Sequence, residues 1–279
     1  MFVIRLKNFL INKNMNKREF KCSSVLIDMI ENHGLIGIKT SFEDEGATFN
    51  EVLRLKEICN QAKTKLTLKI GGPEASRDIQ DSSIIGVKGL VAPMVESGFG
   101  LSKFINSVNF NLTKDIINSL ELIINVETIQ AYKNIDEILS VKESKDLYAI
   151  TVGRVDFVSS MGKDRLFVDS PEMLKMTKDI FTKAKNIGLT VNLGGAITTD
   201  SYNFLNELYK EGLLDKFETR YAIYDPSKAL KNLGKALAKG QLFEYEWLMN
   251  KRELYQKQAD KEIKRIQMIQ DRINQSTNI

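Results

Sequence analysis

Glu127 closes the apolar run L-I-I-N-V-E, and Asp156 follows the next such run, L-Y-A-I-T-V-G-R-V-D. The residues between the two runs are helix-like, so the stretch reads as strand, helix, strand with one carboxylate at the end of the first strand and the other just past the second. In a parallel barrel the strand ends converge on one face, which brings two such carboxylates to one place. Two hard oxygen ligands, completed by water and substrate oxygens, suit Mg²⁺ or Mn²⁺. Asn125, two residues before Glu127, shares its face of the strand. Zinc has no support: the single histidine, His33, precedes its strand and so lies at the wrong end, and Cys22 and Cys59 form no C-x-x-C pair.

Other ionisable residues gather at comparable positions. Lys69 ends the run L-T-L-K before Gly71-Gly72; an inward lysine on a strand is costly without a partner, so it either meets a ligand or pairs with a structural carboxylate. The turn Glu43-Asp44-Glu45-Gly46 follows the run L-I-G-I-K-T-S-F, and the sequence leaves open which of its three acids faces inward. Glu96, after a third run, is placed either to orient a metal-bound water or to sit on the rim. Arg154 and Arg220 could meet an anionic substrate tail or pair with the acids.

The elements that must position these groups alternate along the chain. Strand patterns at residues 35–42, 66–72, 87–97, 122–127, 147–153, 189–197 and 217–224 are separated by helical patterns, and residues 2–6 could supply an eighth strand. Ser170-Pro171 predicts a helix start. This rhythm predicts an α/β fold, an eight-stranded (β/α) barrel of the TIM type, and the absence of G-x-G-x-x-G after the first strand argues against a dinucleotide-binding sheet. Three regions follow: an N-terminal helical segment (1–34), the barrel body (35–227) and a C-terminal helical extension (228–279). In the extension Phe243, Trp247, Leu254, Ile263, Ile266, Ile269 and Ile273 fall roughly on one side of a long helix. That is more apolar surface than a lone surface helix leaves in water, so the extension is expected to join copies of the chain in a homo-oligomer.

Composition bounds the remaining classes. The 279 residues are 43% hydrophobic and 27% charged, with no apolar run of membrane-spanning length. Arg5 and Lys7 interrupt the opening M-F-V-I-R-L-K, so no signal peptide is expected and the cytoplasm is the expected location. Residues 1–23 carry six basic and one acidic side chain, and residues 226–279 eleven and six, which leaves a middle of net charge −6 within a total of +4. The basic excess lies in the ends and reads as solvated helix faces; a nucleic-acid partner is not expected.

In order, F-E-D-E-G, L-K-I-G-G, V-A-P-M-V-E-S, I-N-V-E-T with N-I-D-E-I-L, and V-G-R-V-D-F-V-S-S-M-G resemble the HpcH/HpaI aldolase and citrate lyase β-subunit family of pyruvate/phosphoenolpyruvate-type barrels. The likeness spans roughly residues 35–200. It implies that Glu127 and Asp156 hold the divalent metal and that the backbone N–H groups of the Gly153-Arg154 turn receive the carboxylate of a 2-oxo acid. It also implies that Lys69 stands where the family carries an arginine on the substrate's oxo group, keeping the charge but losing the bidentate fork. Glu43, Asp44 and Glu45 match the family's early acidic segment, without the histidine that the aldolases place beside it. The implied activity is metal-dependent carbon–carbon cleavage or aldol addition on a 2-oxo acid through a stabilised enolate. A citrate lyase-like acyl-CoA lyase or a phosphoenolpyruvate-type isomerase on the same site, and a non-catalytic binding or assembly protein on a degenerate barrel, are the alternatives.

Overall fold

The computed structural model describes residues 15–277. Eight strands close into one barrel in chain order: β1 (Leu35–Ser41), β2 (Lys65–Lys69), β3 (Gly89–Ala92), β4 (Glu121–Val126), β5 (Ala149–Gly153), β6 (Thr190–Gly194), β7 (Lys216–Glu218) and β8 (Ala222–Tyr224). Helix α1 (Lys17–Asn32) precedes β1, and the helices between strands are α2 (Phe49–Ala62), α3 (Ser76–Ile85), α4 (Gly98–Asn111), α5 (Lys114–Ser119), α6 (Ile129–Lys133), α7 (Ile135–Ser140), α8 (Arg154–Ser160), α9 (Pro171–Asn186) and α10 (Tyr202–Lys210). After β8 come the short α11 (Pro226–Ala229) and the long α12 (Leu233–Thr277).

Local chemistry sets several of these boundaries. Asn16 and Glu19 form a capping box on α1, the Asn16 side chain accepting from Arg18 N and Glu19 N and Glu19 accepting from Asn16 N. Thr48 and Glu51 do the same for α2. As expected, Ser170 caps α9 and Pro171 stands in its first turn.

Strands β1 to β7 are mutually parallel, whereas β8 runs antiparallel to both β7 and β1. The run F-E-T-R-Y-A-I-Y, expected as a single seventh strand, breaks at Thr219–Tyr221 into a hairpin. Thr219 closes it, its N–H donating to Ala222 O at 2.9 Å and its Oγ1 accepting from Ala222 N at 3.2 Å. The hairpin therefore supplies the eighth strand. The candidate strand at residues 2–6 lies outside the described residues, and the barrel closes without it.

Strand alternation divides the buried side chains into two populations. Ile38, Leu66, Leu68, Leu90, Leu122, Ile124, Val126, Ile150, Val152, Val191, Leu193 and Phe217 join the main apolar core with the helices. On the other face of the same strands, paired by register, lie Lys39 with Thr67, Ser41 with Lys69, Asn125 with Thr151 and Thr151 with Asn192. Only Val91, Ile123 and Ala149 form a separate small apolar cluster. Above that cluster the barrel interior is polar.

Helix α12 runs antiparallel to α1 along its first half. Phe243 and Trp247 are buried, and Lys239 pairs with Asp28 at 2.6 Å, Glu246 with Arg18 at 2.9 Å and with Lys21 at 2.5 Å, and Lys251 with Glu51 at 3.0 Å. With 45 residues the helix is about 68 Å long, and its second half extends away from the barrel with Ile263 and Ile266 about 60% exposed. Close docking of its first half depends on Gly240. A Cβ there would stand 2.4 Å from the Tyr224 hydroxyl oxygen, which donates to Ala236 O at 2.9 Å.

Gly240→Ala is therefore expected to lower stability by about 2 kcal/mol in urea denaturation, through overpacking. Tyr224→Phe removes the clashing oxygen for about 1 kcal/mol of lost hydrogen bond. In that background the Gly240→Ala cost should largely vanish; additive costs would show that the close approach is not what Gly240 provides.

Candidate active site at the barrel mouth

A cavity of about 440 Å³ opens at the C-terminal ends of the strands. Glu127 follows directly on β4, 3% exposed, and its two oxygens are held from opposite sides. Oε1 accepts from Met94 N at 2.9 Å and Oε2 from Asn125 Nδ2 at 2.9 Å. Met94 adopts φ +53, a left-handed conformation unusual for a residue with a side chain, so local strain accompanies the N–H that reaches the carboxylate. Gly153, at the end of β5, makes room for the same group: a Cβ there would lie 2.7 Å from Glu127 Oε2.

Asp156 lines the same cavity from the first turn of α8, just past the end of β5. Burial pushes the Glu127 carboxyl above the usual range and Asp156 adds to this, against the opposing pull of the Met94 N–H, Lys69 and Asn125. Lys69 also lines the cavity. Its ammonium is 2.6 Å from Glu43 and 3.5 Å from Asp44. Burial disfavours its charge, yet the carboxylates of Glu43, Asp44 and Glu127 outweigh that cost and raise its pKa.

The three acids of the early turn take three different places. Glu43 binds Lys69 without lining the cavity, while Asp44 and Glu45 both line it. Burial pushes the Glu45 carboxyl up, and Asp44 adds to this, against hydrogen bonds from Tyr221 and from Thr40, the latter at 3.2 Å. Arg220, in the β7–β8 turn, lies 3.9 Å from Asp44 and lines the cavity. Glu96 is a rim residue, its side chain accepting from Thr128 Oγ1 at 2.6 Å.

Of the two roles open to the Arg154 side chain, a substrate tail or a carboxylate partner, the structure shows a carboxylate partner. Its side chain is fully buried and does not line the cavity. The guanidinium forms an ion pair with Asp169, donates to Val168 O, Gly194 O and Gly195 O, and stacks 4.8 Å from the Phe204 ring centroid. With its donors committed to the protein, the side chain is occupied in joining β5 to β6 and to the 165–169 turn. Gly153 remains on the cavity wall. His33 caps the C-terminus of α1, at the opposite end of β1 from the cavity.

Several groups escaped the reading of the sequence. Lys39 and Glu218 form an ion pair on the cavity wall, and Asn192 Nδ2 donates to Glu218 at 2.6 Å and Thr151 at 3.1 Å. Lys39 was open to detection, since it alternates with Ser41 on the inward face of β1. Leu237, Gly240, Gln241 and Glu244 of α12 also line the mouth, and no local pattern marks a helix that crosses a strand end.

In all, six carboxylates and four cationic side chains face the cavity. Among the described residues no group of three or more His, Cys, Asp or Glu side chains is arranged to hold a metal ion. Glu127 and Asp156 supply two hard ligands, a donor set that fits Mg²⁺ or Mn²⁺, whose remaining positions are filled by water and substrate, and does not fit a zinc site. The formal excess of two negative charges is what one divalent cation would offset.

A family model described as HpcH/HpaI aldolase/citrate lyase matches residues 49–203. Among solved structures the chain is similar to an HpcH/HpaI aldolase from Desulfitobacterium hafniense, at 16% identity and TM-score 0.57 over 72% of this chain and 82% of that one. It is likewise similar to the citrate synthase SbnG, at 14% identity and TM-score 0.57 over 78% and 97%. A citrate lyase from Burkholderia xenovorans is 10% identical, with TM-score 0.57 over 80% and 74%. These likenesses show a shared barrel fold. No curated protein matches the sequence.

Replacing Arg154 by Met should cost about 3 kcal/mol, because it takes the cation from Asp169, which keeps only its bond from Ser201, and leaves three carbonyls without their guanidinium donor. Equilibrium denaturation checks this. A loss of ligand affinity with unchanged stability would instead return Arg154 to the binding role that the sequence suggested.

Proposed function

The chain belongs to the HpcH/HpaI aldolase/citrate lyase family, and on that premise we propose that it is a divalent-metal-dependent carbon–carbon lyase or aldolase acting on a 2-oxo acid or a related carboxylate. The observation that carries the reading is the meeting of Glu127, Asp156 and Lys69 on one cavity with a surplus of negative charge. Glu127 and Asp156 would hold Mg²⁺ or Mn²⁺, which when bound supplies a Lewis acid for the substrate's carboxylate and oxo oxygens. The Met94 N–H and the Asn125 amide orient the Glu127 carboxylate.

Lys69 is kept charged by its carboxylate neighbours, so it serves as a fixed hydrogen-bond donor to the oxygen that becomes anionic when the bond breaks. It is not a base. Glu43 is engaged by Lys69, whereas Glu45 lines the cavity half-buried, with its carboxyl pushed up by burial, and is the member of the early acidic turn best placed to move a proton. The backbone N–H groups of the Gly153-Arg154 turn would receive the substrate carboxylate. The proposed setting is the cytoplasm, and Cys22 and Cys59 are free and buried. No helix among the described residues is long and apolar enough to cross a membrane.

Glu127→Gln and Asp156→Asn are each expected to reduce Mg²⁺ affinity at least tenfold by calorimetry and to remove Mg²⁺-dependent cleavage of 2-oxo acids, with the thermal midpoint close to that of the unaltered protein. Full metal-dependent cleavage in either variant would refute the assignment. Product analysis with acyl-CoA esters tests the thioester-lyase alternative, and an intact assembly with no metal affinity would favour the non-catalytic one.

The exposed half of α12 is proposed to join copies of the chain, since Ile263, Ile266 and Ile269 leave a stripe of branched apolar side chains in water. Light scattering should give a mass above that of the 31.7 kDa chain. Ile266→Glu should lower it towards one chain. A monomer in the unaltered protein would reject this assembly.

A further inference from the structure

One wall of the mouth is a single stripe of α12. Leu237, Gly240, Gln241 and Glu244 recur at i, i+3, i+4 and i+7, and all four line the cavity. Gly240 brings the stripe there, because β8 and its Tyr224 leave no space for a side chain at that position. The Glu244 carboxylate is half-buried, and neither it nor the Gln241 amide makes a side-chain hydrogen bond or ion pair with a described residue. Burial pushes the Glu244 carboxyl up, opposed by the charge of Arg220.

That arginine is already shared. It lies 3.9 Å from Asp44, and its charge also acts on Glu45, so three carboxylates surround one guanidinium. Deeper in the cavity, Asn125 Oδ1 is buried and has no hydrogen-bond partner. At the floor of the pocket and at Glu244 the unspent capacity is therefore capacity to accept hydrogen bonds, while the Gln241 amide can accept or donate. Arg165 also lines the cavity, but it is solvent-exposed, where attraction for an anion is weak; Gln241 is exposed as well, so the half-buried Glu244 carries the larger part of the discrimination.

We infer that the α12 stripe is a substrate-tail subsite, in which Gln241 and Glu244 select a 2-oxo acid whose far end carries a hydroxyl or ammonium group over one that ends in a carboxylate. The inference rests on the reading of the mouth as a 2-oxo acid site. A tail that donates to Glu244 fills a lone acceptor, whereas a carboxylate tail meets the same charge and leaves the acceptor unfilled. The same wall disfavours phosphate-bearing acyl-CoA tails. Glu244 and Gln241 are specificity residues rather than catalytic ones.

Non-cleavable oxamates of matched length test this with Mg²⁺ present: N-(2-hydroxyethyl)oxamate, N-(2-aminoethyl)oxamate, N-(carboxymethyl)oxamate and N-propyloxamate, measured by calorimetry on the full chain. The hydroxyethyl and aminoethyl compounds should bind roughly tenfold more tightly than the carboxymethyl one, the size of one hydrogen bond to a charged group. Glu244→Ala should erase the difference, and Glu244→Gln should shrink it for both compounds, because its neutral amide can donate to the carboxymethyl tail. Unaltered thermal midpoints would separate this from misfolding, and Gln241→Ala gives a second, smaller loss. Equal or tighter binding of the carboxymethyl compound, or a preference that survives Glu244→Ala, overturns the subsite alone. If no oxamate binds, the 2-oxo acid reading falls with it; if the preference holds but no cleavage occurs, the subsite stands and the lyase reading fails.

Discussion

A charge that points into a closed barrel has to be neutralised inside it, and this requirement organises the molecule. Water cannot solvate the inner faces of β1, β4 and β7 as it would a surface, so Lys39 finds Glu218 and Glu127 lies between the Met94 N–H and the Asn125 amide. Lys69 is satisfied by acids that reach it from the loop after β1. Pairing is incomplete on the acidic side. The carboxylates of Glu127, Glu45 and Glu244 are all pushed up by burial, which is the electrostatic form of a site that favours a cation or a hydrogen-bond donor.

The apolar core is arranged to hold that interior in place. Branched aliphatic residues on the outward faces of the strands pack under the helices, leaving the alternate positions for polar side chains without disturbing the core. Backbone strain is concentrated near the mouth. Of the three residues with side chains and positive φ among the described ones, Lys63 ends α2, whereas Ala196 lines the cavity and Met94 binds Glu127.

Helix α12 ties the barrel mouth to the outside of the protein. Its first half completes the cavity wall and locks α1 through Glu246, while its second half stands clear of the barrel. One helix thus touches both the proposed chemistry and the proposed assembly. Gly240, where helix and β8 meet most closely, is the point at which the two are mechanically joined.

The sequence by itself determined the barrel, because apolar runs separated by amphipathic stretches leave few other ways to bury both faces of the strands. It also pointed to Glu127, since a strand end dictates where its side chain emerges, and to Asp156 just past the next strand; both line the cavity. Only the tertiary structure decided the closing strand: the reversal at Thr219–Tyr221 depends on a hairpin and a partner, β1, that lies far away in sequence. Arg154 likewise read as a binding residue beside Asp156, and its burial against Asp169 and Phe204 depends on loops that fold over it. The α12 wall was invisible for the same reason. Its stripe of Leu237, Gly240, Gln241 and Glu244 has the look of an ordinary helix face until packing against Tyr224 sets it across the strand ends.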